Sequence, residues 1–277
     1  MQLHTNQEHS TTTPVLVTGG TGTLGRHLVP RLLEAGCRVR VLSRASREPA
    51  EGVEFVTGDL ATGEGIEAAV AGVETIIHCA GSGKGDDEKA RNLVRAAAGA
   101  NIRHLVYISV VGADRTPVTS GIDRAMFGYI GAKRTAELII ANSGVPYTTL
   151  RATQFHDLVL MMAQGMAKLP VIPVPAGLSV QPIDAAEVAA RLAELARSEP
   201  AGLVPEMGGP QVHSLADLIS GYLRATGRRR LIVPVRMPGG AARAFRNGAN
   251  LAPDQAGGRR TWNDFLAARL GPVHNYA

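Results

Sequence analysis

The first half of the chain alternates short apolar runs with stretches in which apolar residues recur every three or four positions. The runs predict β-strands, and the recurring pattern predicts amphipathic helices. The predicted strands are Val15–Thr18, Arg38–Leu42, Val53–Thr57, Val73–Cys79, Leu105–Ser109 and Tyr147–Leu150, and the predicted helices are about Thr23–Ala35, Ile66–Val70, Asp86–Ala98 and Arg124–Asn142. Strands that alternate with helices form βαβ units, so we expect an α/β fold with a doubly wound parallel sheet.

The pattern changes after Arg151. Residues 154–168 form an apolar, Met-rich helical stretch, and prolines interrupt residues 169–182, which predict short irregular strands. Further helices are predicted to begin at Asp184, Ser214 and Thr261, and Asp184-Ala-Ala-Glu187 has the spacing of a capping box. We therefore expect a smaller C-terminal lobe beside the sheet.

A glycine-rich turn joins the first strand to the first helix. The stretch Thr18-Gly-Gly-Thr-Gly-Thr-Leu-Gly25 lets the backbone turn tightly and its N–H groups approach a pyrophosphate, and the following helix N-terminus adds unpaired donors. A purely structural turn could use the same residues, but their position between a strand and a helix favours nucleotide binding. The expected cofactor contacts here are Thr18, Gly19, Gly20, Thr21, Gly22, Thr23, Leu24 and Gly25.

The end of the second strand indicates which dinucleotide binds. NAD-specific folds of this kind usually place a carboxylate there for the ribose 2′-OH, whereas this strand ends in Ser43-Arg44, with Arg47 close behind. A guanidinium pairs well with a 2′-phosphate, so NADP(H) is favoured over NAD(H), although the arginines could simply be solvated loop charges. Asp59-Leu60 and Ala80-Gly81 follow the third and fourth strands, and we expect them at the cofactor as well.

Composition narrows the classes of partner. The chain is 45% hydrophobic and 19% charged, as in an ordinary globular protein, and only 4% aromatic, which argues against stacking on single-stranded nucleic acid. The net charge is +5, and we interpret Arg228-Arg229-Arg230 as a solvated turn rather than a nucleic-acid patch. We expect a small-molecule substrate and no nucleic-acid partner, in a monomer or homodimer.

The sequence also predicts where in the cell the protein is located. The first thirteen residues are polar, predicting a disordered tail without a signal peptide, and no apolar run is long enough to span a membrane. We therefore expect a cytoplasmic protein without a membrane partner. Cys37 and Cys79 have no second Cys or His at metal-ligand spacing, so no metal site is expected.

Three residues near the fifth strand suggest chemistry. Ser109 ends that strand, and Tyr129 and Lys133 lie four residues apart on one face of the next helix. Hydride transfer to or from a carbonyl carbon needs a proton donor or acceptor at the oxygen, and an adjacent ammonium favours the phenolate of a tyrosine. A serine hydroxyl can hold the same oxygen. The alternative is an ordinary surface Tyr and Lys on an amphipathic helix.

These motifs together resemble the short-chain dehydrogenase/reductase superfamily, and more narrowly its atypical, NmrA-like NAD(P)H-binding branch. The resemblance covers residues 15 to about 156 and lies in Thr18–Gly25, Val41–Arg44, Gly58–Leu60, His78–Gly81, Tyr107–Gly112, Tyr129–Lys133 and Leu150–His156. It implies a Rossmann-like domain, NADP(H), Ser109, Tyr129 and Lys133 as catalytic trio with the last two also touching the cofactor, and Gln154, Phe155 and His156 near the substrate. It also offers Asn92 as a proton-relay residue, although we favour a plain helix-face asparagine at that position.

The resemblance also fixes the expected organisation and leaves two functions open. We divide the chain into a tail (1–13), a dinucleotide-binding domain (14–153) and a substrate-side lobe packed on it (154–277). The first function is an NADP(H)-dependent oxidoreductase acting on a small carbonyl or quinone. The second is a non-catalytic NADP(H)-binding regulator, because some members of the branch bind the cofactor without turnover. An epimerase would need a second nucleotide pocket, for which the sequence gives no signal.

Overall fold

A parallel sheet of seven strands forms the centre of the computed structural model, which describes residues 13–81 and 85–271. Its strands are β1 (Val15–Thr18), β2 (Val39–Ser43), β3 (Val53–Thr57), β4 (Thr75–His78), β5 (His104–Val110), β6 (Tyr147–Ala152) and β9 (Gly202–Leu203). The strand order is β3-β2-β1-β4-β5-β6-β9, so the order reverses between β1 and β4. The expected doubly wound parallel sheet is confirmed.

Helices cover both faces of this sheet. The helices of the chain are α1 (Gly25–Glu34), α2 (Ile66–Val70), α3 (Asp86–Ala98), α4 (Gly121–Ala141), α5 (His156–Met166), α6 (Ala185–Ala196), α7 (Leu215–Ala225), α8 (Gly240–Arg246) and α9 (Trp262–Leu270). One apolar core joins α1 and α6 to the sheet, and a second joins α2, α3 and α4 to the other face. Because both faces are covered, the strands read as continuous apolar runs.

Most element ends lie within a few residues of the predicted ones, and the deviations have local causes. Helix α4 begins at Gly121 rather than Arg124, because the Ser120 side chain accepts from the Asp123 N–H and the Asp123 carboxylate accepts from the Ser120 N–H. Pro30 lies inside α1 as expected.

The expected lobe is not one continuous piece of sequence. Helix α6 packs against α1 beneath the main sheet, and β9 extends that sheet next to β6. The reason is the apolar face of α6, where Val188 and Leu192 join Leu28 and Leu32 of α1 in one core. Residues 185–204 therefore belong to the sheet domain, although they lie beyond the boundary drawn at residue 154.

The capping box predicted at the start of α6 is only half formed. The Asp184 carboxylate accepts from the Ala186 N–H at 2.7 Å, as expected of an N-cap. Glu187 instead accepts from the N–H groups of Arg259 and Arg260, at 2.8 and 3.2 Å. A contact distant in sequence has displaced the local one and ties the segment before α9 to the sheet domain.

The lobe has its own core. It contains the small strands β7 (Val171–Pro175), β8 (Ser179–Val180), β10 (His213–Ser214) and β11 (Leu231–Val235), together with a 3₁₀ turn at residues 253–255. Strand β7 pairs in parallel with β11, and β8 pairs antiparallel with β10. Helices α5, α7 and α9 pack their apolar faces on β7. Across residues 13–81 and 85–271, the structure has no helix with the length and apolar character needed to cross a bilayer.

Candidate functional site

The residues predicted to contact a cofactor meet at one edge of the sheet. All strands of the sheet run parallel, so the segments that follow β1, β2, β3 and β4 emerge at the same edge. These segments contain the glycine turn, Arg44, Asp59-Leu60 and Ala80-Gly81. The edge lies where the strand order reverses, which is where open α/β sheets bind their ligands.

The glycine turn is packed so closely that side chains are excluded. A Cβ at Gly25 would lie 2.3 Å from the Gly19 carbonyl oxygen, and one at Gly19 would lie 2.7 Å from the Ala80 nitrogen. Helix α1 has no side-chain cap and no acidic residue in its first turn. The turn therefore presents backbone and a positive helix end, which suits a pyrophosphate. These residues fit a dinucleotide.

We expect Gly25→Ala to weaken NADPH binding and to destabilise the protein by about 1–3 kcal/mol, the usual cost of forcing an extra methyl group into packed surroundings. The added methyl group would press on the Gly19 and Gly20 backbone and open the turn. Isothermal titration with NADPH and thermal unfolding measure the two effects. Gly165→Ala is the matched control, since no atom lies within 4 Å of a Cβ there and the residue is inside α5. Equal NADPH affinity in the wild type and Gly25→Ala would contradict the packing argument.

The segments beyond β2 and β3 form the end of the site expected to hold the adenosine. Arg44 is exposed, and the Ser43 hydroxyl donates to the Ala45 carbonyl at 2.8 Å. Asp59 accepts from the Ala61 N–H at 2.9 Å and so shapes its own loop. Asn92 donates to the Leu60 carbonyl at 2.9 Å, which gives it a structural role in positioning this loop.

Lys133 lies at the centre of the site. Its Nζ donates to the Ile108 carbonyl at 3.1 Å and lies 3.2 Å from the Asp86 carboxylate. The same Nζ lies 5.0 Å from the centre of the Tyr107 ring and 5.7 Å from that of Tyr129. Burial alone would lower the pKa of Lys133, but Tyr107 and Asp86 raise it, so the side chain is an ammonium. A Cβ at Gly81 would lie 3.3 Å from Nζ, which puts Lys133 beside the predicted cofactor segment.

Tyr129 lies in apolar surroundings close to this ammonium. It packs against the buried apolar cluster of α4 and α8, as do the side chains of Val110, Val118, Leu178 and Met237. Burial, and secondly the charge of Asp86, raise the pKa of Tyr129 above its ordinary value. The sequence led us to expect that Lys133 would lower this pKa, whereas burial and secondly Asp86 raise it. Tyr129 is therefore a protonated phenol across the neutral range.

Ser109 is placed differently from the other two residues of the predicted trio. It is 1% exposed and, by strand alternation, faces α4 together with Tyr107. Its hydroxyl makes no hydrogen bond to any described residue. The structure thus brings Tyr129 and Lys133 together and places the Ser109 hydroxyl beneath the surface of the site.

Sequence reasoning missed three polar residues beneath the site. Asp86 opens α3 and pairs with Lys133, and the phenol pKa of Tyr107 is raised to about 12, chiefly by burial. His78 lies 2.7 Å from the Thr18 hydroxyl through Nδ1 and stacks on Tyr107 at 5.3 Å. Burial lowers the pKa of His78 to about 3, so its ring is neutral. The positions of His78 at the end of β4 and Tyr107 two residues before Ser109 were available signals.

The three residues predicted near the substrate have different environments. Gln154 and Phe155 are half-buried at the end of β6. His156 is fully buried and packs on Trp262 at 5.8 Å and Phe265 at 4.9 Å, in the core of the lobe. Burial lowers its pKa to about 4. Within residues 13–81 and 85–271, the His, Cys, Asp and Glu side chains form no cluster able to hold a metal ion.

A parallel sheet with a glycine turn at its reversal point and an uncapped helix end behind it defines a dinucleotide-binding α/β protein. The family model described as NAD(P)H-binding matches residues 19–198, and the chain belongs to that family. This confirms both the cofactor class and the resemblance drawn from the motifs.

Curated relatives include several enzymes. The chain is 30% identical over 222 residues to the (4-alkanoyl-5-oxo-2,5-dihydrofuran-3-yl)methyl phosphate reductase of Streptomyces griseus, covering 77% of this chain and 74% of the relative. It is 26% identical over 226 residues to quinone oxidoreductase 2 of Escherichia coli, covering 78% and 75%. The NADPH complex of an Escherichia coli NADPH-dependent quinone oxidoreductase has the same fold, with a TM-score of 0.75 and 20% identity over 93% of this chain and 100% of the other. The comparisons support an NAD(P)H-dependent oxidoreductase.

Proposed function

We propose that this protein is an NADPH-dependent reductase of a small carbonyl or quinone compound. The observation that carries the proposal is the position of Tyr129, whose ring packs against an apolar cluster and has its centre 5.7 Å from the Lys133 ammonium at the cofactor edge of the sheet. When bound, NADPH supplies the hydride. Tyr129 donates the proton to the developing oxyanion, which the nearby ammonium stabilises.

The other residues of the site are proposed to position the cofactor and the substrate. Lys133 is held by Ile108 and Asp86, which directs its Nζ toward Gly81 and so toward the proposed ribose of the nicotinamide. Gln154 and Phe155, both half-buried, are proposed to border the substrate, and His156 supports them by packing from behind. Ser109 is 1% exposed and its hydroxyl makes no hydrogen bond to a described residue, so we assign it the secondary role of holding the substrate oxygen from beneath the site.

The direction of the Tyr129 pKa shift supports a reductase over a dehydrogenase. Burial and secondly Asp86 raise this pKa, which favours a phenol that gives its proton over a phenolate that accepts one. Val110, Leu178 and Met237, which pack against the same cluster as Tyr129, are apolar, which suits a ring compound or an alkyl ketone as substrate. The curated relatives in Streptomyces griseus and Escherichia coli are named as a reductase and a quinone oxidoreductase.

The preference for NADPH is proposed to rest on Arg44. Its exposed guanidinium follows β2 directly, and the residue before it is Ser43 rather than a carboxylate. A guanidinium pairs with a 2′-phosphate through two hydrogen bonds. Arg47 lies nearby in sequence as a second cation.

The test is a titration with NADPH and NADH, followed by NADPH oxidation against carbonyls and quinones. We expect tighter binding of NADPH, turnover on part of the panel, and about a ten-fold loss of NADPH affinity in Arg44→Ser, since a hydrogen bond to a charged group contributes about 1.5–3 kcal/mol. NADH affinity in that variant is the internal control. Failure of both cofactors to bind would refute the reductase, and equal affinities would refute the role of Arg44.

The same experiment decides the second function. Two observations favour a non-catalytic NADP(H)-binding regulator. Ser109 is buried, and the Lys133 ammonium is already paired with the Asp86 carboxylate. It predicts tight NADPH binding with no turnover on any carbonyl or quinone. That result would replace the reductase by the regulator.

A further inference from the structure

We propose that the outer face of the β7–β11 pair, with the basic cleft at its start, is a docking surface for an anionic phospholipid bilayer. We call this face the lobe ribbon. It consists of Val171, Pro173 and Pro175 of β7 and Leu231, Val233 and Val235 of β11. The proposal differs from the expectation of no membrane partner, which rested on the lack of a run long enough to span a bilayer.

The lobe ribbon is apolar yet faces outward. The strands pair in register from Leu231–Val171 to Val235–Pro175, so these side chains project on one side. On the other side, Ile172 and Val174 are buried in the lobe core. Leu231 is 64% exposed, Val235 is 45% exposed and Val171 is 44% exposed. Adjacent exposed apolar side chains of this kind mark interaction surfaces.

Positive charge surrounds the lobe ribbon. A cleft of about 510 Å³ at its start is lined by Lys168, Pro170, Arg229, Arg230 and Leu231, so Leu231 belongs to both cleft and ribbon. Arg228 precedes the cleft residues, and Arg236 follows the last ribbon residue. In the part of the chain that the structure describes, none of these cations lies within ion-pair distance of a carboxylate.

The surrounding sequence explains why the charge is unbalanced. No Asp or Glu occurs between Asp157 and Asp184, the stretch that contains β7. None occurs between Asp217 and Asp254, the stretch that contains β11. The arginines and the lysine, which have no carboxylates near them in the sequence, match the anionic headgroups of a bilayer. The apolar side chains between them match the acyl chains beneath the headgroups.

Two other occupants fit the lobe ribbon less well. Addition of a peptide strand is disfavoured because Pro173, Pro175 and Pro234 lack the N–H groups that a new strand would need. Self-pairing would bring two cationic rims together, and like charges oppose such an association. A bilayer supplies both the apolar layer and the opposite charge.

The lobe ribbon also leads toward the proposed pocket. Leu178 follows β7 and Met237 follows β11, and both pack in the cluster that contains Tyr129. At roughly 3.3 Å per residue, the five residues of each strand span about 16 Å of the path from the cleft to Leu178 and Met237. Only this last relation rests on the proposed function, because vesicle binding is measured without turnover.

The test is co-sedimentation with phosphatidylcholine vesicles that do or do not contain phosphatidylglycerol. We expect binding only to the anionic vesicles, weakening as salt is added. Arg229→Gln combined with Arg230→Gln is expected to weaken it about 25-fold, from about five-fold per cation near such a surface. Leu231→Ser combined with Val233→Ser is expected to weaken it as well.

The matched controls are Arg95→Gln with Arg197→Gln, and Leu138→Ser with Leu203→Ser, which change equally exposed side chains elsewhere. Unchanged NADPH affinity shows that every variant is folded. The proposal is overturned if the wild type does not sediment with anionic vesicles or if the controls weaken binding equally. If the cleft binds glycerol phosphate but the protein does not bind vesicles, the cleft is a site for a free anion and the proposal is overturned. If the wild type self-associates and the variant Leu231→Ser with Val233→Ser does not, the lobe ribbon is an interface between two copies of the chain.

Discussion

Tyr129→Phe is expected to lower kcat for NADPH-dependent reduction about 10²–10⁴-fold, the usual contribution of a positioned proton donor. The substitution removes only the hydroxyl, so the ring keeps its packing against the apolar cluster of α4 and α8. NADPH affinity should change little, because Lys133 and the glycine turn remain. Steady-state rates together with NADPH titration separate these two effects.

Tyr107 provides the sharpest control for that assignment. It is the second phenol near Lys133, with its ring centre 5.0 Å from Nζ, but it is 1% exposed and stacks on His78. We expect Tyr107→Phe to leave kcat within about ten-fold, and Tyr147→Phe, remote from Lys133, to leave it unchanged. A large loss in Tyr107→Phe together with an active Tyr129→Phe would transfer the donor role to Tyr107.

The pH dependence follows from the direction of the Tyr129 pKa. Burial and Asp86 raise this pKa, so the proton is present at neutral pH and the rate should fall only above the ordinary tyrosine value of about 10. The charged and titratable groups packed around this centre are Lys133, Asp86, Lys89, His78 and Tyr107. A rate that already declines between neutral pH and about 9 would contradict a raised pKa.

The sequence was sufficient for the sheet because its signals are local. Each buried strand is a continuous apolar run, and each covering helix repeats its apolar residues at helical spacing, as at Leu24, Leu28 and Leu32. The glycine turn could be located for the same reason. Helix α6 was placed with the substrate-side lobe, because an apolar helix face does not specify its partner. Only the tertiary contact with α1 decides that.

The chemistry of the site was less predictable because it depends on residues far apart in sequence. The spacing of Tyr129 and Lys133 could be read directly, whereas Asp86 lies 47 positions before Lys133 and meets it only in the fold. The raised pKa of Tyr129 comes first from burial and secondly from Asp86, and neither is visible in the spacing of Tyr129 and Lys133. Arg151 is a second example. The sequence marks it only as the point after which the hydrophobic pattern changes, and its ion pairs form only in the fold.

Arg151→Met is expected to destabilise the protein by about 3 kcal/mol, because it leaves the buried Glu137 carboxylate with only the more exposed Arg134 at 3.0 Å. Arg151 donates through Nε and Nη2 to the two oxygens of Glu137, both at 2.8 Å, and its Nη1 lies 2.8 Å from Asp114. The Arg151 side chain is 4% exposed and that of Glu137 is 6% exposed, whereas Asp114 can be hydrated at 36%. The pairs join α4, β6 and the segment after β5 beneath Ser109. Chemical denaturation measures the loss.

The matched control is Arg191→Met, which breaks the exposed pair with Glu194 and should cost at most about 0.5 kcal/mol. In the double variant Glu137→Met with Arg151→Met, much of the loss should be recovered, because no buried charge is left alone.

Burial alone would raise the pKa of Glu137, but Arg151 lowers it below that of the unfolded chain. The pair's contribution is therefore complete above the unfolded value of about 4.3 and disappears as pH falls through the lower folded value. Arg151→Met should accordingly remove part of the acid sensitivity of folding, and an unchanged pH profile would show that the pair does not control stability.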